Sequence, residues 1–255
     1  MNPRVGIVEW GLSESGPKAI EMVREYGLSC IQLNFTRDYE IKNYRRKILS
    51  TSRSTGVSIA AIALNILNEY QLSGISSNNF KQSHIIFGAA LRAAVDLEVN
   101  HIFIPSFYTG EVSSPKDIIR LSLFYKWACS LALESQVVVS TENTLSIECA
   151  LELYRLVDRP NFQFIFDPYN YLVSNINPIN IYDRLGDIFN KQIHVKNGDG
   201  KKGGVRPLDD DLFDLQEVLV RIGRQSTFYL ENKYHIIGLE NIKHDFDWLV
   251  GILHK

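Results

Sequence analysis

Eight short apolar runs, each followed by a longer stretch of helical periodicity, punctuate this chain, and few folds accommodate such an alternation. The runs are Arg4–Val8, Ser29–Asn34, Val57–Leu64, His101–Pro105, Val137–Thr141, Phe162–Phe166, Gln192–Val195 and Thr227–Leu230. Short runs rich in Val, Ile and Phe suit parallel strands buried on both faces. Helices are expected around Gly16–Tyr26, Tyr39–Thr55, Asn79–Leu97, Pro115–Ser135, Ser146–Val157, Ile179–Phe189, Leu212–Gly223 and Leu239–Leu253. Pro17 and the Ser114-Pro115 pair mark helix starts, and Gly27 and Gly56 follow helix ends. A strand–helix unit repeated eight times predicts an α/β fold, a (β/α)8 barrel built as one domain over residues 1–255. Its length agrees, since such barrels run to about 250 residues.

Composition narrows the function. Hydrophobic residues make up 45% of the chain and charged residues 22%, which supports a large core and excludes general disorder. The formal charge of -2 argues against a nucleic-acid partner, which normally demands a basic surplus. Cys30, Cys129 and Cys149 lie far apart with no CxxC, so they read as small buried residues rather than a disulfide or thiolate-metal framework. No apolar run approaches the ~20 residues that span a bilayer, and the start MNPRVGIVEW lacks a signal-peptide core. A cytoplasmic protein without a membrane partner is expected. A homo-oligomer is left open.

The chemistry gathers at the last four strands. Glu142 follows VVVST, Asp167 follows FQFIF, His194 follows QI, and Glu231 ends TFYL. Barrel enzymes carry their catalytic groups at these C-terminal strand ends. Separations of 25, 27 and 37 residues are each about one βα unit, so neighbouring strands would bring the four side chains together. Alone, each acid would pass for a helix cap or a loop ion pair. Together, three carboxylates converging without a cation would repel one another, and a divalent ion removes that penalty. Three oxygen donors and one imidazole suit Mn²⁺ first, then Mg²⁺ or Co²⁺, with Zn²⁺ or Fe²⁺ also acceptable. Lys196, two residues beyond His194, should point to the same side and could meet a substrate oxyanion, or else a structural acid.

TENT at 141–144, FDPYN at 166–170, HVK at 194–196 and LEN at 230–232 together resemble the xylose isomerase-like TIM-barrel superfamily of sugar phosphate isomerases and epimerases. The resemblance implies one metal held by Glu142, Asp167, His194 and Glu231, with Glu142 and Glu231 also serving as the acid–base pair. Such enzymes polarise a carbonyl, remove the adjacent proton to give a cis-enediolate, and return a proton elsewhere. Glu148, six residues after Glu142, matches a substrate-contacting glutamate of the ketose 3-epimerases. The chain also departs from their pattern. Asn170 stands where they carry a substrate-binding histidine, Gly200 stands in register with their arginine, with Arg206 nearby, and LDDD at 208–211 replaces a glycine-rich stretch.

The expected activity is therefore a metal-dependent isomerase or epimerase acting on a small sugar, sugar phosphate or related hydroxy-carbonyl compound. Alternatives are a dehydratase of the inosose type on the same site, a DNA-repair nuclease like endonuclease IV, and a non-catalytic barrel. Only six histidines and the absence of a basic surplus disfavour the nuclease. Glu9, Trp10, Asn34, Asn65 and Tyr108 sit near the ends of the first strands, with Trp10 and Asn65 preferred as pocket residues. The loops Gln71–Asn78 and Asn197–Asp211 would cover the substrate, the second bearing Lys201, Lys202 and Arg206. His101, at a strand start, should lie on the stability face, and His84 on a helix.

Overall fold

Each barrel strand buries both faces, and alternation assigns them: one set of side chains meets the helices and the other fills the barrel. The computed structural model describes residues 4–70, 72, 77–107, 112, 115–210, 212–223 and 225–254. Tyr108, Ser114, Asp211 and most of Gln71–Asn78 lie outside these residues. Strands β1 (Arg4–Val8), β2 (Cys30–Asn34), β3 (Ser58–Ala63), β4 (His101–Pro105), β5 (Val138–Glu142), β6 (Phe162–Phe166) and β7 (Phe189–Val195) succeed one another around a closed barrel. A short antiparallel hairpin, β8 (Asn197–Gly198) and β9 (Gly203–Arg206), then intervenes. Strand β10 (Thr227–Leu230) closes the ring between β7 and β1, pairing Ile7 with Leu230 and Tyr229 with His194. All eight barrel pairings are parallel.

The helices follow in chain order: α1 (Pro17–Glu25), α2 (Lys42–Thr55), α3 (Ser77–Asp96), α4 (Pro115–Leu133), α5 (Ile147–Val157), α6 (Pro168–Val173), α7 (Pro178–Leu185), α8 (Gln216–Ile222), α9 (Tyr234–Ile237) and α10 (Asn241–Leu253). Local signals set their ends. Ser146 accepts from the Cys149 amide to start α5, Asn177 accepts from Ile179 and Asn180 to start α7, and Gly56 takes a left-handed conformation to end α2. The predicted eighth unit and the seven before it are all present. The predicted helix over 179–189 overran, because Phe189 already pairs beside Phe164 and opens β7. The 197–211 segment, read as irregular, contains the β8–β9 hairpin.

Outward side chains such as Ile7, Ile31, Leu33, Ile62, Ile102, Phe164 and Ile193 join the helices in one large core. Inside the ring lie two small apolar clusters, Ala61, Ala63, Phe103 and Ile165, and Val8, Cys30 and Tyr229, with Trp10 packed against both. The rest of the inward set is polar: Gln32, His101, Ser140, Gln192 and His194, with Glu142 at the end of β5 and Asp167, Lys196 and Glu231 one residue beyond β6, β7 and β10. Among the described residues no helix is long and apolar enough to cross a membrane.

Candidate active site

At the C-terminal mouth, ligand atoms of Glu142, His194 and Glu231 come within 4.8 Å of one another. His194 is fully buried, and its Nδ1 lies 3.4 Å from Glu142 Oε2 and 3.5 Å from Glu231 Oε2. The other oxygen of each glutamate is held by a separate neutral donor: Asn170 Nδ2 reaches Glu142 Oε1 at 3.1 Å, and Trp10 Nε1 reaches Glu231 Oε1 at 3.0 Å. Both carboxylates are thus oriented with Oε2 towards the same point.

The state of His194 follows from a chain of amides below it. Gln192 Nε2 donates to the Ala60 carbonyl at 3.2 Å, so Gln192 Oε1 faces Gln32 and accepts from its Nε2 at 2.8 Å. Gln32 Oε1 must then face His194 Nε2, 2.7 Å away, and can only accept. His194 therefore carries a hydrogen on Nε2 and turns Nδ1 towards two carboxylates. That nitrogen has no hydrogen-bond partner among the described residues. Leaving a buried polar atom unsatisfied costs about 1–3 kcal/mol, and two facing carboxylates add repulsion. A cation at this point answers both, so the residues present fit a divalent metal.

Asp167 and Lys196 stand beside this cluster. Asp167 Oδ1 caps α6, accepting from the Tyr169 and Asn170 amides at 2.9 and 3.4 Å. Its Oδ2 lies 2.7 Å from Lys196 Nζ, an ion pair without hydrogen-bond geometry. Lys196 Nζ also donates to Glu231 Oε2 at 2.8 Å. Burial is the largest influence on both acids. At Asp167 it prevails over Lys196 and raises the carboxyl to about 7, whereas at Glu231 the attraction of Lys196 and His194 prevails and holds it at about 2. Burial opposes the charged form of His194 too, but Glu231 and Glu142 raise its pKa overall. Lower in the barrel, burial drives His101 down to about 4, and its Nε2 lies 2.8 Å from Ser140 Oγ, away from the mouth.

Above the cluster opens a cavity of about 520 Å³, lined in part by Trp10, Asn65, Asn170, Lys196 and both glutamates. Its size falls in the range of small-molecule sites. Among the expected pocket residues, Glu148 is exposed in the first turn of α5 and Arg206 is paired with Asp210 at 2.8 Å, and neither lines it. Glu9 is buried and accepts from the Gly16 and Asn34 amides, so it braces the ends of β1 and β2. His84, on α3, packs against Trp127 with ring centroids 3.9 Å apart and planes tilted by 41°, and does not line the cavity. Sequence reasoning passed over Gln32 and Gln192. The signal was available: each is a polar residue at an inward position, and Gln192 stands two residues before His194.

A buried polar scaffold supports the hairpin. Asn232 Oδ1 accepts from the Asn197 amide at 3.0 Å, and its Nδ2 donates to buried Asp245 at 2.7 Å. Asp245 also accepts from the Tyr234 hydroxyl and the Leu208 amide. Gly204, at φ +75°, lets β9 pass the 231–233 backbone, where a Cβ would meet Glu231 O and Lys233 N at 3.1 Å.

Comparison with known proteins places this fold. The chain is 29% identical over 203 residues to 2-epi-5-epi-valiolone 7-phosphate 2-epimerase of an Actinoplanes species, covering 78% of this chain and 74% of the relative. A D-tagatose 3-epimerase-like protein superposes with a TM-score of 0.81 at 15% identity, over 100% of this chain and 98% of the other. D-psicose 3-epimerase from Clostridium cellulolyticum H10 gives 0.76 at 13%, over 99% of each chain. A probable 3-DHS dehydratase from Bacillus anthracis gives 0.74 at 18%, also over 99% of each. At these identities the three solved structures share the fold. Residues 20–251 match the xylose isomerase-like TIM barrel family, and with this match and the closed eight-stranded barrel the chain belongs to that family.

Proposed function

We propose that this protein is a divalent-metal-dependent epimerase or isomerase of a small hydroxy-ketone of the sugar or cyclitol type, with Glu142 and Glu231 as its acid–base pair. The observation that carries the reading is the paired arrangement of the glutamates, each with Oε1 pinned by its own donor and Oε2 turned to His194 Nδ1. Glu142, His194 and Glu231 would hold the ion, with Asp167 joining once Lys196 yields its Oδ2, and Mn²⁺ suits this donor set. The bound ion would supply electrophilic polarisation of a substrate carbonyl. The chain itself does the proton work. One glutamate removes the proton from the carbon beside the carbonyl, and the other returns one from the opposite face, inverting that carbon. Asn170 and Trp10 keep both carboxylates aimed. Asn65 and Asn170 offer amide groups to substrate hydroxyls at the cavity wall.

The kinship with an epimerase of a phosphorylated cyclic ketone makes 2-epi-5-epi-valiolone 7-phosphate the first compound to try. Protein loaded with Mn²⁺ is incubated in D2O with this compound, free ketoses, inososes and hydroxypyruvate, and deuterium is located by NMR. Incorporation at one carbon is expected, reduced by at least about 10²-fold in each of Glu142→Gln and Glu231→Gln. Unchanged turnover in both variants would sink the acid–base assignment. Net loss of water from the product would replace epimerisation with dehydration.

A further inference from the structure

The cavity is electrically lopsided. Its charged lining residues are Glu142, Glu231, Lys196, Lys201 and Lys233. Lys196 is committed to Asp167 and Glu231. A divalent ion together with this lysine balances Glu142, Glu231 and Asp167, which leaves Lys201 and Lys233 without a counter-charge among the lining residues. No described residue forms an ion pair with either one. Their hairpin neighbour Arg206 is already neutralised by Asp210, and Lys202 does not line the cavity.

Both lysines stand on one wall. Lys201 lies at the tip of the β8–β9 hairpin, where Asp199 Oδ1 accepts from the Lys201 and Lys202 amides at 2.8 and 2.7 Å, and the Gly200 amide donates to Tyr169 Oη at 3.2 Å. Lys233 follows β10, and its amide donates to the Gly204 carbonyl of the same hairpin at 2.7 Å. The opposite wall comes from beyond β3 and β4, diametrically across the ring, and contributes Asn65, Asn68 and Phe107 without charge. A substrate would therefore lie with an anionic end towards β7 and β10 and its hydroxyls towards β3.

We propose that Lys201 and Lys233 form a subsite for a phosphate monoester carried by the substrate. Two ammonium groups match the charge of a phosphate, about -1.5 to -2 at neutral pH, whereas a carboxylate would leave one unmatched. The subsite rests on the epimerase reading only for the rest of the substrate, and it can fail separately. The test is calorimetric binding to the Mn²⁺-loaded protein of two matched pairs: 2-epi-5-epi-valiolone 7-phosphate against 2-epi-5-epi-valiolone, and D-fructose 6-phosphate against D-fructose. At least one phosphorylated member should bind at least about tenfold tighter than its free counterpart, with the preference weakening at high salt. In the double variant Lys201→Gln, Lys233→Gln the ratio should fall towards one. If neither phosphorylated compound binds tighter, or if the preference survives in the double variant, the subsite is refuted. Deuterium exchange without phosphate preference would remove the subsite and leave the chemistry, and phosphate preference without exchange would do the reverse.

Discussion

A leucine at position 32 removes the acceptor that holds the His194 Nε2 hydrogen and so orients Nδ1 towards the two glutamates. Outer hydrogen bonds of this kind are worth about 10–100-fold in metal affinity. Gln32→Leu should weaken Mn²⁺ binding by that factor in calorimetry. Unchanged Mn²⁺ affinity in the variant would overturn the argument. Glu9 offers a second handle. Burial, opposed by hydrogen bonds from the Gly16 and Asn34 amides, raises its carboxyl from 4.5 to about 7. Between those values the folded chain holds a proton that the unfolded chain has released. This contribution is complete below the unfolded value and is lost as pH rises through about 7, amounting to at most about 3 kcal/mol. Glu9→Gln lacks the group, so its stability difference from wild type in urea should change between about pH 5 and about pH 8. A constant difference would show that Glu9 does not titrate there.

Among the elements, the β8–β9 hairpin depends on a support that sits elsewhere in the chain. Asp245 on α10 accepts from Leu208, Asn232 and Tyr234, and all three donors are buried with it. Asp245→Ala strands them at about 1–3 kcal/mol each where water cannot enter, so a loss of about 3 kcal/mol or more is expected in urea unfolding. The hairpin was also the element that sequence concealed. Its Gly-Asp-Gly-Lys-Lys-Gly-Gly core has no apolar alternation, and backbone pairing with the chain at 231–233 holds it in place. The barrel strands were legible for the opposite reason: burial on both faces writes a continuous apolar run. Phe189 escaped because an apolar residue after a helix reads equally well as its last turn.

For the whole molecule, Mn²⁺ binding to the fold alone should raise the melting temperature by about 5–10 °C at about 100 times the dissociation constant, and a chelator should reverse it. His194→Leu should abolish the shift. Glu142, His194 and Glu231 were legible because four consecutive strands deliver suitable groups one unit apart. The division of labour among them was not. Whether Asp167 caps a helix or faces an ion depends on where Lys196 lies, and no spacing in the chain encodes that distance. Likewise Trp10 and Asn170 were readable as pocket residues, but their grip on the two glutamates needed coordinates.

The pairing of β10 with β1 has a consequence for biosynthesis. Glu231 follows the last barrel strand, and its Trp10 partner follows the first, so the two meet only when the ring closes. A nascent chain still missing β10 has seven strands and lacks Glu231, one of the two glutamates proposed as the acid–base pair. On that proposal, the onset of activity during synthesis would report that the final strand has found its place.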